Sequence, residues 1–333
     1  MLDINVNIEL SGPSGSLGSG VPCILISKST RDVAYKEYGE AKELVSAGFE
    51  TNSDAYKLYQ IMKMQKDTPA LIAVMETTEK AVDVIPKLQG KVRQVITVLG
   101  STGDSTVVEF AKAIEATDSL TYFPVVKSIT DASGLEGLDR TMVGVHSRGQ
   151  ELAAALVGAT AGYEVGSFTY KNILIKGVAP DDITDGEVKV IDNDNKSGPV
   201  YGYTIQRKAG DIVTTEGKNA AGEYVDIVDS FDWIISNIQY QAQKLFNNAK
   251  KVNYDDAGIG ILEGITNGVL KEADTKGMIA HDENGTALYD TNFGRRSETL
   301  GTDRSARVYK LGRFNFDLAG AIHTATINGT ASI

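Results

Sequence analysis

The residues best placed to meet a ligand lie in the run Val98, Leu99, Gly100, Ser101, Thr102, Gly103, Asp104 and Ser105. An apolar strand pattern ends there, a glycine-containing turn follows, and a helical pattern begins. Backbone N–H groups at such a helix start can cradle a phosphate. The spacing departs from GxGxxG, because Thr102 separates Ser101 from Gly103, and Asp104 adds a negative charge beside the turn. The Gly-Lys-Ser or Gly-Lys-Thr ending of a phosphate loop occurs nowhere in the chain. The Gly100 to Gly103 turn therefore fits a nucleotide-binding α/β enzyme, and equally a plain strand-to-helix turn capped by Asp104 or Ser105.

The other chemistry-bearing groups are sparse. His146, His281 and His323 are not at metal-ligand spacing, and Cys23 is the only cysteine, so a structural zinc site is not expected. His146 is followed by Ser147 and Arg148, as in some catalytic loops, but no nucleophile elbow accompanies it, which favours a loop histidine. Asp192, Asn193, Asp194 and Asn195 resemble the start of a calcium loop. Lys196 then falls where an oxygen ligand belongs and Tyr203 where the bidentate Glu belongs, so the pattern fails. Asp181, Asp182 and Asp185 read as solvated turn residues. No catalytic residue, metal or cofactor is expected.

The elements that would carry these residues alternate. Apolar runs at 21–26, 70–75, 94–99, 122–126 and 141–145 read as strands buried on both faces. Helical stretches at 38–47, 53–64, 78–88 (broken near Pro86), 107–116 and 151–162 fall between or after them. This predicts a mostly parallel sheet covered by helices. After about 177 the texture changes. Runs 187–191 and 200–205 flank a loop rich in turn formers and predict a hairpin. Asp229 or Ser230 caps a predicted helix over 231–249, and Asp255 and Asp256 open another that ends near Gly277. The alternation from Arg313 to Leu318 predicts a strand.

Both ends of the chain carry strand patterns of their own. Leu2, Ile4, Val6, Ile8 and Leu10 alternate with Asp3, Asn5, Asn7 and Glu9, the period of a half-buried strand. A tether containing Gly12, Gly15, Gly18 and Gly20 follows. The final segment, with Ile322, Thr324, Thr326, Ile327 and Thr330, is also strand-like. A lone strand needs a sheet to join, within its own chain or on another subunit.

The 333 residues allow two domains, each with its own core. A net charge of −11 disfavours general nucleic-acid binding. One cysteine excludes an intrachain disulfide framework and suits a reducing compartment. No run approaches the ~20 apolar residues of a membrane span, and no secretory signal is expected at the N-terminus. Against the acidic whole, residues 295–333 hold six cationic side chains and three acidic ones. That suits either a solvated surface or a docking face for an acidic partner.

Several stretches resemble the contractile-tail sheath proteins of phages and related injection particles. In 217–234 a turn leads through Asp229 into a helix bearing Trp233; in 252–259 Tyr254, Asp255 and Asp256 open the next helix. In 314–323 the order is Phe314, Asn315, Phe316, Asp317, Leu318, Ala319, Gly320, Ala321, Ile322 and His323, followed by Ile327, Asn328, Gly329 and Thr330. A looser likeness covers 151–159 and Lys171, Asn172 and Ile173. The likeness spans roughly 20–333 and is densest after about 210.

The resemblance implies an α/β plus α+β protein. A mostly parallel sheet domain covered by helices precedes an α+β domain with exchanged terminal strands. Expected boundaries are an arm and tether at 1–20, an outer α/β domain at 21–178, a hairpin-rich connection at 179–228, an inner assembly domain at 229–321 and a C-terminal arm at 322–333. It further implies a non-enzymatic subunit that assembles as hexameric rings around an inner tube and contracts to drive it through a target envelope. Partners would be further copies, the tube protein, and baseplate and terminator proteins, with no direct nucleic acid and no membrane insertion. The setting would be a virion tail or phage-tail-like particle assembled in the bacterial cytoplasm. Lys271, Arg295, Arg296, Arg304, Arg307 and Arg313 are the expected tube contacts.

Overall fold

A computed structural model describes residues 20–27, 31–99, 103–117 and 119–326, with the backbone alone for 103–106. The N-terminal strand pattern, most of its tether (Gly12, Gly15, Gly18), Gly100, and Ile327 and Thr330 lie outside the described residues.

The first half builds one twisted sheet. Strands β1 (Val21–Ile26), β2 (Val33–Tyr38), β3 (Ile72–Glu76), β4 (Val92–Val98) and β5 (Thr121–Tyr122) lie in the order β2-β3-β1-β4-β5. All pairings are parallel except the edge strand β2, which runs antiparallel to β3. Helices α1 (Ala41–Ser46) and α2 (Asp54–Lys63) precede β3, α3 (Ala81–Leu88) precedes β4, and α4 (Gly103–Glu115) precedes β5. Ile24 and Ile26 of β1 enter the cluster that holds Leu58 and Met62 of α2. Cys23 and Leu25 enter the opposite cluster with Ile85 of α3 and Phe110 of α4. Both faces of the central strands are covered, which is why β1 reads as an apolar run throughout.

Four local expectations are corrected here. The segment 38–47 is not all helix: Tyr38 ends strand β2, and the helix starts at Ala41 behind a Glu40–Glu43 capping box. Pro86 does not break α3, which runs on to Leu88. The expected single strand over 122–126 is split, because Pro124 has no N–H to give a ladder. Strand β6 (Val125–Val126) continues instead into a parallel trio with β7 (Val143–Val145) and β8 (Gly202–Tyr203), joined to β5 by a Tyr122–Thr141 bridge. Between β7 and β8 come α5 (Glu151–Thr160) and α6 (Asp185–Ile191). On α5, Gly158 lets the backbone touch α2, where an added Cβ would fall 2.5 Å from Met62 Cα.

The fourth correction is the hairpin. Residues 187–191 are helical in α6, because Thr184 and Glu187 form a capping box that starts a helix. The hairpin lies farther on, between β9 (Ile205–Lys208) and β10 (Asp211–Thr214). Its turn residues Ala209 and Gly210 both have positive φ, 50° and 95°, as a tight primed turn requires.

The last third is α+β. Helix α7 (Val225–Asn248) and helix α8 (Asp256–Thr275) pack together and cover one face of an antiparallel pair, β11 (Tyr289–Phe293) and β12 (Gly312–Phe316). The short helix α9 (Gly301–Ala306) lies between those strands. Trp233, Ile234 and Ile238 meet Val269, Leu270 and Ala273, with Phe314 and Phe316 packed against them. Asp255 caps α8 as expected, its carboxylate accepting from Gly258 N at 2.9 Å. Asp229 and Ser230 do not cap α7, which starts at Val225 behind Tyr224. Asp229 is instead buried inside the helix's second turn and paired with Arg93 of β4.

Candidate assembly surface

The clusters that suggested chemistry are structural where they can be described. His146 is fully buried. Its Nδ1 accepts from Arg148 N–H at 3.1 Å, so Nε2 carries the proton and donates to Ala179 O at 3.0 Å. Ser147 Oγ donates to Asp181 Oδ1 at 2.5 Å and its N–H to Oδ2 at 2.8 Å. Serine thus bonds the carboxylate and not the imidazole, the wrong order for a nucleophile and base. Asp181 is half-buried in this clamp rather than freely solvated, Asp182 is exposed, and Asp185 accepts from Gln206. Around 192–196, Asp192 accepts from Thr215, and burial raises its carboxyl to about 6. No metal-ligating group of three gathers among the described residues. Ser101 and Thr102, like Gly100, lie outside them.

The β11–β12 pair has a different character. Asp317 N–H donates to Leu288 O at 2.9 Å and Gly294 N–H to Leu311 O at 3.2 Å. With Asp290 opposite Asn315 and Asn292 opposite Arg313, those residues face across the pair, since bonded positions alternate along an antiparallel ladder. The N–H and C=O groups of Thr291 and Phe293 on one edge, and of Gly312, Phe314 and Phe316 on the other, point outward. Among the described residues the sheet has these two strands alone. Its side chains divide cleanly. Tyr289, Thr291, Phe293, Phe314 and Phe316 face the helices, where Thr291 Oγ1 meets Asn267 at 2.8 Å and Glu263 at 3.2 Å. Asp290, Asn292, Arg313 and Asn315 face solvent.

Beside this sheet lies a groove of about 750 Å³ between the C-terminal half of α7 and the N-terminal half of α8. Ile238, Phe246, Leu262, Phe293 and Phe314 make its apolar wall, and Arg307 and Lys310 stand at its border. Sequence reasoning reached β12 and missed β11, whose Asp290 and Asn292 disguise a strand. The period-two alternation of Tyr289, Thr291 and Phe293 with Asp290 and Asn292 was the available signal.

The six expected tube contacts are not one patch. Arg295, Arg296 and Arg307 are exposed on the crossing between β11 and β12, and Arg313 on the solvent face of β12. Arg296 N–H donates to Asp256 Oδ1 at 2.8 Å, which ties the crossing to the start of α8. Arg304 is half-buried and bonds Thr299 and the carbonyl of Arg296. Lys271 is exposed near the far end of α8, about 22 Å along the helix from Asp256 at 1.5 Å per residue. Three glycines, Gly260, Gly264 and Gly268, share one exposed stripe of α8, with nothing within 4 Å of the position of an added Cβ.

Of the arms, Gly20 is described, with φ 79°. Ile322, Thr324 and Thr326 pair with no strand among the described residues, and Ile322 is 88 % exposed. No helix among the described residues is long and apolar enough to cross a membrane.

No known protein family and no curated protein matches this sequence. Solved structures do. A chain of the cryo-EM structure of the anti-feeding prophage baseplate superposes with TM-score 0.72 at 12 % identity, covering 100 % of this chain and 99 % of that one. The anti-feeding prophage helical sheath in its contracted state gives 0.70 at 13 %, covering 99 % of each chain. The contracted sheath complex of PVC, an extracellular contractile injection system, gives 0.72 at 10 %, covering 99 % of this chain and 98 % of that one. The sheath tail protein of Listeria innocua gives 0.57 at 9 %, covering 85 % and 90 %. Over its whole length, this chain has the fold of the tail sheath proteins of contractile injection systems.

Proposed function

We propose that the chain is the subunit of a contractile sheath, stacked as hexameric rings around an inner tube that it drives forward on contraction. The observation that carries this is the β11–β12 pair, both of whose edges are open among the described residues, beside an apolar groove. A two-stranded sheet is marginal by itself and is completed by added strands. The segment at Leu2, Ile4, Val6, Ile8 and Leu10 of a neighbouring copy suits one edge. Its apolar face would continue Phe314 and Phe316, and its polar face would continue Arg313 and Asn315. The segment around Ile322, Thr324, Thr326, Ile327 and Thr330 of another copy suits the second edge. Gly12, Gly15, Gly18 and Gly20 then act as the hinge that lets linked subunits rotate and slide.

In this arrangement residues 21–178 form the outer unit, 179–228 the connection and 229–321 the inner unit that carries the exchanged sheet. Arg295, Arg296, Arg307 and Arg313 offer exposed positive charge to an acidic tube, with Lys271 and Arg304 at its margins. Baseplate and terminator proteins would cap the two ends of a phage-tail-like particle built in the bacterial cytoplasm. The fold shared with the contracted sheaths of the anti-feeding prophage and PVC supports this reading.

Electron microscopy of the concentrated protein, with and without its tube, tests the proposal. Hollow, helically striated cylinders are expected from the whole chain. Deletion of residues 1–18 is expected to leave a folded monomer that forms none. Normal cylinders from the deletion would overturn strand exchange, and monodisperse particles from the intact chain would overturn the sheath assignment.

A further inference from the structure

Among the described residues, the last backbone tie to the inner unit is Ala319 N–H donating to Met278 O at 2.8 Å. From 320 to 326 no backbone hydrogen bond forms among the described residues, and every side chain in that span is exposed except one. The exception is His323, whose side chain is only one-tenth exposed. Its Nε2 is hydrogen-bonded to Thr169 Oγ1 at 2.9 Å. Its ring stands edge-on to Tyr224, 4.7 Å between centroids, at an interplanar angle of 84°. Its Nδ1 lies 3.8 Å from Glu216 Oε1. The socket is itself braced, since Lys171 pairs with Glu216 at 3.5 Å and Lys218 stacks over Tyr224 at 5.0 Å. Its walls come from the segment after α5 and the segment before α7, so a C-terminal residue spans from the inner unit back onto the α/β unit.

We propose that Thr169, Glu216 and Tyr224 form a socket that clips the C-terminal arm at His323 and fixes the point from which the arm departs toward a neighbouring copy. The physical effect is on reach. With the clip closed, residues 320–323 are tied at both ends. With it open, those four residues join the free arm and lengthen its reach by about 13 Å at 3.3 Å per residue. A longer free arm lowers the effective concentration of its strand at the correct edge and admits wrong neighbours. The consequence for assembly rests on the strand-exchange proposal; the clip itself does not.

The test uses the whole chain with a spin label on Ile322→Cys. Cys23 does not compete, because it is fully buried, and burial pushes its thiol up to about 12. The label is expected to show an immobilised component that is lost in His323→Ala and in Thr169→Val. Thr169→Val matters because it leaves the arm's own sequence intact, so an assembly defect in it cannot come from damage to the exchanged strand. Both variants are expected to give fewer and shorter cylinders than the parent. Unchanged label mobility in both would overturn the clip. Raised mobility with normal cylinders would overturn its role in assembly. If the parent itself makes no cylinders, the sheath assignment fails while the label still decides the clip.

Discussion

Arg140 and Asp232 meet as a two-pronged pair across 92 positions of sequence: Nη1 donates to Oδ2 at 2.8 Å and Nη2 to Oδ1 at 3.0 Å. The side chains are 7 % and 5 % exposed. One helical turn earlier, Asp229 takes Arg93 of β4 and the hydroxyl of Tyr170, which donates at 3.2 Å. Burial raises the Asp229 carboxyl, against the pull of the Arg93 guanidinium. These two pairs plug the first turns of α7 into the α/β unit, so the helix that carries the inner unit is anchored in the outer one.

Asp232→Ala should therefore cost about 3–5 kcal/mol, because it takes the carboxylate away from a buried guanidinium. Arg140→Met combined with Asp232→Leu should recover most of that loss, since no charge is left unpaired. Urea denaturation of the unassembled subunit checks both. A loss below about 1 kcal/mol in the single variant, the range of a surface pair, would show that the pair does not bear load.

Asp226, one turn before Asp229 on α7, has no such partner among the described residues. Its Oδ1 is buried without a hydrogen bond, and burial, aided by the nearby Asp229, raises the carboxyl from 3.8 to about 6. Below pH 3.8 the group is protonated folded or unfolded and carries no penalty. As pH rises toward about 6, the unfolded chain releases the proton and the folded chain keeps it, so stability falls. Asp226→Asn should stabilise the fold by about 1–3 kcal/mol at neutral pH and by nothing at low pH. Equal stability of the two proteins at neutral pH, by thermal or urea unfolding, would count against this.

Gly260, Gly264 and Gly268 each weaken α8 by about 1 kcal/mol relative to alanine. Outside the helix's own backbone, no atom of the described residues lies within 4 Å of where a methyl would sit, so Gly264→Ala should raise the stability of the isolated subunit by about 0.5–1 kcal/mol. If that stripe is pressed against another surface in the sheath, the same change should reduce cylinder yield. Higher thermal stability with unchanged yield would leave the stripe facing solvent in the assembly.

The clip at His323 should respond to acid. Burial first, and then Lys171 and Lys218, hold the imidazole below its ordinary 6.5, while Glu216 pulls the other way. A folded-state value below the free one means that docking is at full strength above 6.5. It weakens as pH falls through that value and on through the docked one. The label at position 322 should therefore gain mobility between about pH 8 and about pH 5. An unchanged spectrum across that interval would refute the coupling.

Residue pattern alone determined much of this protein. The apolar runs at 21–26, 70–75 and 94–99 announce strands covered on both faces, because a strand buried on both sides leaves little room for polar residues. Ser53 and Asp255 announce their helices through their own side-chain oxygens, and the alternation at 313–316 announces β12. The likeness to sheath proteins, densest after about 210, was legible too, and the shared fold bears it out. Only the tertiary structure decided where α7 begins. Asp229 looks like a capping residue until Arg93 arrives from 136 positions away and takes it into the helix interior, as Arg140 takes Asp232 from 92 positions away. Only the tertiary structure set β11 against β12, with both edges open among the described residues, and seated His323 against Thr169. Local periodicity records which side of an element is buried. It holds no record of which distant residue meets it there, and in this chain the joints between units are made by such distant pairs.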